Sequence, residues 1–312
     1  MKVVQDIQNY NSDTKSILTI GTFDGVHVGH QKIIKALVEE ARNKKLLANV
    51  LTFFPHPRMV LQKDAQIKLI DTLAEKETFL RKLGVDTLII HPFSKEFSRL
   101  SALEFTRDIL VNQLKIAELF IGYDHRFGKN REATVADLTS FGKTYDFKVN
   151  IIPAQDVSAI TVSSTKIRTA ISDGDFTKVV DFLGRFFQLS GTVSKGQSLG
   201  RTINFPTANL LIDSQHKIIP PKGVYLVSIF HKQNQYYGMM NIGTRPTLNG
   251  DKQTIEVHIF EFDENIYGST LTINLIEKIR DEQKFESLDA LKKQLIKDKE
   301  ICKRNLSLKG WN

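Results

Sequence analysis

Ile20-Gly21-Thr22-Phe23-Asp24-Gly25-Val26-His27-Val28-Gly29-His30 is the stretch that decides how the first half of this chain folds. The apolar run Ile17 to Ile20 supplies a buried strand, and Gln31 to Asn43 continues with a helical pattern. A strand that becomes a helix N-terminus through glycines is a place to hold phosphate. Gly29 lets the backbone approach an anion closely. His27 and His30 offer ring N–H donors to oxygens whose charge grows during phosphoryl or nucleotidyl transfer. With no cysteine nearby, zinc is a weak reading. For so short a pattern as His-x-Gly-His, a pair of ordinary turn histidines is the plain alternative.

Outward from that stretch, apolar runs alternate with amphipathic ones. Ile17–Ile20, Asn49–Phe54, Thr87–His91, Leu119–Ile121 and Lys148–Ile152 read as strands. Gln31–Asn43, Thr72–Leu83, Ala102–Leu114 and Ala136–Tyr145 read as helices between them. Such βαβ alternation predicts an α/β domain with a mostly parallel sheet, its ligands at the carboxyl ends of the strands. After about Gly184 the texture changes. Gln188–Val193, Gly223–Phe230, Tyr236–Ile242, Thr254–Phe262 and Thr270–Leu275 are β-branched and aromatic, separated by turn residues such as Asn249-Gly250, and predict an antiparallel β-barrel. A helix over roughly Ser287–Asn305 carries Leu288, Leu291, Leu295 and Ile301 on one side. Two domains are expected, 1–184 and 185–312.

Composition limits the class of partner. The 312 residues exceed what one core usually supports. A hydrophobic fraction of 41% with 25% charged residues is that of an ordinary globular protein. The net charge of +8 suits phosphorylated small molecules better than nucleic acid, because no dense Lys/Arg block stands out. Cys302 is the only cysteine, so an internal disulfide is impossible and a reducing cytoplasm is expected. No run approaches the length of a membrane span, and the first residues form no apolar signal core.

Three more segments join the histidines. Phe54-Pro55-His56-Pro57 ends the second strand, where two prolines hold His56 rigidly. Gly122-Tyr123-Asp124-His125-Arg126-Phe127-Gly128 follows the fourth and offers Asp124 to a ribose hydroxyl or base edge. Ser163-Ser164-Thr165-Lys166-Ile167-Arg168 opens a helix with hydroxyls, backbone donors and two cations, a fit for a triphosphate. In the second half, the glycine-spaced stretch from Gly191 through Lys195 to Gly200-Arg201 reads as a nucleotide wrap or a hairpin turn. It runs into Asn204-Phe205-Pro206-Thr207-Ala208-Asn209. Thr207 and Asn209 sit two apart, which in an extended segment puts both oxygens on one face, as Mg²⁺ requires. Around Glu256, the residues Ile255, Val257 and Ile259 form one face and leave Glu256 and His258 on the other.

Taken in order along the chain, the first four segments resemble the FAD synthetase module of the HxGH nucleotidyltransferase superfamily. Those of the second half, with Gly223-Val224-Tyr225, Asn241-Ile242-Gly243, Glu256-Val257-His258 and Tyr267-Gly268, resemble the riboflavin kinases. The whole, over roughly residues 14 to 304, is similar to the bacterial bifunctional riboflavin kinase/FAD synthetases. The resemblance implies a Rossmann-like first domain and a kinase barrel, with riboflavin, FMN, FAD, ATP, ADP and pyrophosphate as its small molecules, and Mg²⁺ with ATP as co-substrate. It also implies a monomer or transient homo-oligomer.

Gly21, Phe23, Asp24, His56 and Asp124 would then bind the adenylyltransferase's ATP. His27 and His30 would stabilise the reacting phosphates, and Ser164, Thr165 and Arg168 would hold the leaving pyrophosphate. Gly191, Lys195, Gly200 and Arg201 would bind the kinase's ATP, Thr207 and Asn209 would place Mg²⁺, Glu256 would be the general base, and Arg280 would close over the flavin. Departures from the family pattern are His125, the missing second glycine after Gly128, and Asn204. The rival readings are a different HxGH nucleotidyltransferase fused to an unrelated barrel, and a non-catalytic flavin-sensing regulator.

Overall fold

The computed structural model describes residues 1–62, 67–153, 162–195, 200, 203–247 and 250–311, and divides into two compact units, Met1–Ser164 and Thr165–Asn312. In the first unit β1 (Lys2–Gln5), β2 (Ser16–Ile20), β3 (Leu47–Phe53), β4 (Thr87–His91), β5 (Ile116–Gly122) and β6 (Lys148–Ile152) form one sheet in the order β1-β4-β3-β2-β5-β6. Every pairing in it is parallel. Strand β2 is buried at all its residues, as a strand covered on both faces should be. Ile17 packs with Leu37 and Ala41 of α1 (Val28–Lys44) on one face, while Leu18 and Ile20 join Leu110 and Leu114 on the other.

The helices expected from periodicity form: α1, α3 (Leu73–Lys82) and α5 (Val135–Tyr145), with the short α2 (Pro57–Leu61) added after the prolines. Helix α3 opens on a full capping box, Thr72 with Glu75. The helix expected over 102–114 begins as α4 (Ala102–Glu104) and widens into a π-helical stretch, Phe105–Gln113. Strand β1 escapes a reading by pattern because only Val4 of its residues is buried; β4 gives it its register.

In the second unit β7 (Phe187–Ser194), β8 (Ala208–Leu211), β9 (Gly223–His231), β10 (Asn234–Thr247), β11 (Gly250–Ile259) and β12 (Thr270–Arg280) close into a barrel, β10-β11-β8-β7-β12-β9, with antiparallel pairing throughout. Two helices precede it, α6 (Ser164–Asp173) and α7 (Phe176–Leu183), and α8 (Leu288–Leu308) follows. Helix α8 lays Leu291, Leu295, Cys302 and Leu306 against Val224, Leu226 and Met239. Helix α7 packs on β7 and β12, and its Phe176 meets Tyr225 edge-on at 5.6 Å. The division into compact units falls at Ser164/Thr165, which puts α6 and α7 with the barrel. Residue 184 is where helix gives way to strand, but the apolar face of α7 already belongs to the barrel.

Candidate active sites

The first site grows from the order of the sheet. Strand β2 has β3 on one side and β5 on the other, so the chain leaves it in opposite directions and a crevice opens beyond the carboxyl ends of β2 and β5. The turn Gly21–Val26 sits there, with Phe23 (φ 45°), Gly25 (φ 86°) and Val26 (φ 37°) all left-handed. For a β-branched residue such a φ is a true outlier, of the order of 1–3 kcal/mol, and it persists only where surrounding contacts impose it. Asp24 supplies some of them. Its buried carboxylate accepts from the Ile70 and Asp71 amides at 2.9 and 3.5 Å, and its carbonyl accepts from the Ser164 hydroxyl at 2.9 Å. Asp24 thus braces the turn. Gly21 leaves room for the Phe23 ring, which a Cβ would meet at 3.1 Å, and Phe23 in turn sets its ring against the edge of His30 at 5.1 Å.

His27 is the N-cap of α1. Its Nδ1 accepts from the His30 amide at 3.3 Å, so the neutral ring carries its proton on Nε2, pointing away from the helix as a donor. The His27 and His30 rings stack nearly parallel, 3.5 Å between centroids and 17° between planes. Burial pushes His27 down to about 4 and His30 well below the ordinary histidine value, the latter helped by His27 and Lys76. Both rings are therefore neutral hydrogen-bonding groups near pH 7. His30 Nδ1 is buried and finds no partner among the described residues, as expected of an atom that awaits a ligand.

His56 is likewise an N-cap, of α2, at the carboxyl end of β3, and Asp124 is exposed just past β5. The structure thus brings Gly21, Phe23, Asp24, His27, His30, His56 and Asp124 to one end of the sheet, with Ser164 tied to Asp24. Thr165 and Arg168 continue the helix that Ser164 opens, Arg168 four residues on and so on the same face as Ser164, in the second compact unit.

The second site is built by register. Across β10, β11 and β8, Asn241 pairs with Glu256 and Glu256 with Asn209, so three polar side chains share one face of the barrel. They line a cavity of about 270 Å³ together with Thr207, Arg280 and the apolar Phe285, Leu291 and Leu295. The Thr207 hydroxyl donates to Glu256 Oε2 at 3.3 Å. Since a hydroxyl has one proton and two lone pairs, its lone pairs remain for a cation. Among the described residues no group of three His, Cys, Asp or Glu could hold a metal. The oxygens of Thr207 and Asn209 fit a Mg²⁺ ion that keeps its waters and takes its remaining ligands from phosphates. Thr207 also borders a second cavity of about 580 Å³, lined by Val193, Asn204, Pro206, Phe262 and Tyr267.

His258 fixes the segment between these cavities. Its Nδ1–H donates to the Pro206 carbonyl at 2.8 Å, and burial holds its ring below the ordinary histidine value. Of the glycine-spaced stretch, Gly200 lines the first cavity, whereas Gly191 and Lys195 line neither cavity, and Arg201 lies outside the described residues. Gly191 is required by packing: a Cβ there would run into the Leu211 carbonyl on β8.

Arg280 reaches the first cavity, but its fork turns to Asp298 on α8, with Nε at 3.0 Å and Nη2 at 2.7 Å from that fully buried carboxylate. Its Nη1 donates to the Asp281 carbonyl. Sequence reasoning passed over Asp298 and Lys76, and it quoted Asn241 within a family segment without giving it a role. Asp298 falls on the Leu291, Leu295, Cys302, Leu306 stripe of α8, and an acid on an apolar stripe is the signal that would have marked it.

Comparisons with known proteins match both halves of the chain. A family model described as FAD synthetase matches residues 9–166, and one described as riboflavin kinase matches 183–306. Among curated relatives, bifunctional riboflavin kinase/FMN adenylyltransferases from Escherichia coli (strain K12) and Haemophilus influenzae are 37% and 38% identical, covering 96% and 97% of this chain and 96% and 98% of their own. A crystal structure described as a macrolide-efflux protein from Streptococcus pneumoniae superposes with a TM-score of 0.89 at 32% identity, over 97% of this chain and 99% of that one.

Proposed function

The chain belongs to the bifunctional riboflavin kinase/FMN adenylyltransferase family, and from that premise we propose a division of labour among its residues. Its activities make FMN from riboflavin and then FAD from FMN, each at the expense of ATP. The single observation that carries the kinase assignment is the Asn209–Glu256–Asn241 row with Thr207 on the Glu256 carboxylate. Riboflavin lies in the cavity of Phe285, Leu291 and Leu295, with its ribityl 5′-hydroxyl toward Glu256, and the nucleotide lies beyond Thr207. Glu256 accepts the hydroxyl proton as that oxygen bonds to the γ-phosphorus of ATP and the bond to ADP breaks. Thr207 and Asn209 would hold Mg²⁺, which supplies charge neutralisation at the phosphates when bound. Arg280, pinned by Asp298, forms a fixed wall of the flavin cavity.

Adenylyl transfer needs no base. The FMN phosphate, with a second pKa near ~6, is already largely dianionic at neutral pH and attacks the α-phosphorus of ATP, expelling pyrophosphate. The protein's work is then positioning and charge stabilisation. His27 supplies its Nε2–H and His30 its unpaired ring nitrogen, while Ser164, Thr165 and Arg168 steady the leaving group. Asp24 and Phe23 shape the turn, and His56 and Asp124 border the nucleotide. We assign the enzyme to the cytoplasm on its lone, buried cysteine.

The efflux in the description of the Streptococcus pneumoniae structure is a property stated of that protein; here no helix among the described residues is long and apolar enough to cross a membrane. Incubation with riboflavin, ATP and Mg²⁺ followed by chromatography of the flavins tests the reading. FMN followed by FAD is expected, and the absence of both would refute it.

A further inference from the structure

Lys76 is an ammonium on α3 that the two reactions above do not use, and it is buried, 5% exposed. Its Nζ donates to the Thr22 carbonyl at 2.7 Å, and Thr52 Oγ1, also buried, donates to the same oxygen at 3.2 Å. Thr22 is the residue at which β2 has ended and the left-handed turn Phe23–Val26 begins. That turn has no regular ladder to hold it. Among its fixed points are the Thr22 carbonyl, the carboxylate and carbonyl of Asp24, and the Val26 carbonyl, which accepts from Gln31 Nε2 at 2.9 Å. The residue after Val26 is His27, whose ring caps α1 and stacks on His30. A displacement at Thr22 therefore travels through four residues into both histidines.

A buried ammonium needs compensation, and Asp24 and Asp71, each almost fully buried, face it. Burial still lowers its proton affinity, with the two carboxylates opposing. On the other side Lys76 acts on His30, where burial, His27 and then Lys76 all disfavour the imidazolium.

We propose that Lys76 is a positioning residue for adenylyl transfer: through the Thr22 carbonyl it holds the Phe23–Val26 turn, and with it the stacked His27–His30 pair, in the geometry that receives the reacting phosphates. The inference rests on the assignment of this site to FAD synthesis. Lys76 touches no reacting atom in this scheme; it acts through the turn and through its field on His30.

The test uses the full chain carrying Lys76→Met, which keeps most of the volume and removes both the donor and the charge. FAD formation from supplied FMN and ATP is measured, and FMN formation from riboflavin in the same preparation is the internal control. The expected result is a fall in kcat for FAD synthesis of about tenfold to a hundredfold, as sub-ångström misplacement produces, with KM values nearly unchanged and the kinase rate intact. Lys76→Arg, which keeps a cation and a donor for the Thr22 carbonyl, should retain most of the rate of FAD synthesis.

A Lys76→Met enzyme with the original kcat overturns the inference, as does an equal loss in both variants, which would make Lys76 a space-filler. Should Lys76→Met fail to fold, Thr52→Val strips the other donor from the same carbonyl without adding bulk. About a tenfold loss confined to FAD synthesis supports the proposal and an unchanged rate refutes it. If the unmodified chain makes FMN but no FAD, the assignment of the site itself has failed, which is a separate result from any behaviour of the variants.

Discussion

Glu256→Gln keeps the shape of the Asn209–Glu256–Asn241 row and removes only the proton acceptor. Riboflavin phosphorylation should fall by about 10²- to 10⁴-fold, while conversion of supplied FMN to FAD continues; equal loss of both activities would mean that Glu256 is structural. The histidines make a different prediction, set by burial. His27 has its proton affinity lowered from the ordinary 6.5 to about 4, so the folded protein binds that proton later than the unfolded chain does. Its contribution to stability is complete above pH 6.5 and is lost as the pH falls from there toward 4, to an extent of the order of a few kcal/mol. Ring-proton chemical shifts should show His27 still neutral at pH 5.5. Titration of its ring near 6.5 would contradict the capping geometry and the neutral-donor role together.

At the scale of elements, the strands and helices that the pattern of apolar residues predicted are those whose burial follows a period. Strand β2 reads as a continuous apolar run because both of its faces are covered, and β7 alternates because one face is only partly covered. What escaped was set by partners distant in sequence. Strand β8 is four residues long and exists because β7 and β11 flank it; Asn241 faces Glu256 only through the β10–β11 register; and Asp298 meets Arg280 only once α8 docks. The histidine turn was legible because its residues are local, whereas Lys76, its brace, is 54 residues from Thr22. The Thr207–Asn209 segment was read as two oxygens on one face, and the structure places both on the same cavity as Glu256. Thr207→Ala with Asn209→Ala removes both oxygens without adding bulk to a core. The Mg²⁺ needed for half-maximal kinase activity should then rise roughly tenfold or more, and an unchanged Mg²⁺ dependence would remove these residues as its anchors.

For the whole molecule, the order of the segments separates two chemistries onto two cores, and the place where the chain can be cut follows from what the second core contains. The family models leave residues 167–182 unmatched, between the end of one and the start of the other. Within that interval α7 turns Phe176, Val179 and Leu183 inward, all nearly or fully buried, and Phe176 packs against both Phe187 and Tyr225 of the barrel. Burial of this kind is costly to remove: deleting one such aromatic side chain typically costs about 3–5 kcal/mol, a large part of a small domain's stability. A fragment comprising Thr165–Asn312 keeps α7 and should fold and phosphorylate riboflavin, yet make no FAD, since His27, His30 and Ser164 are absent from it. A fragment cut instead at 181 keeps every barrel strand but loses Phe176 and Val179. It should unfold at lower urea, read through Trp311, the chain's single tryptophan, which packs against Phe186 and Tyr237 of the same unit. Equal urea midpoints for the two fragments would show that α7 adds nothing to the barrel and would favour a boundary at the change of texture near residue 184.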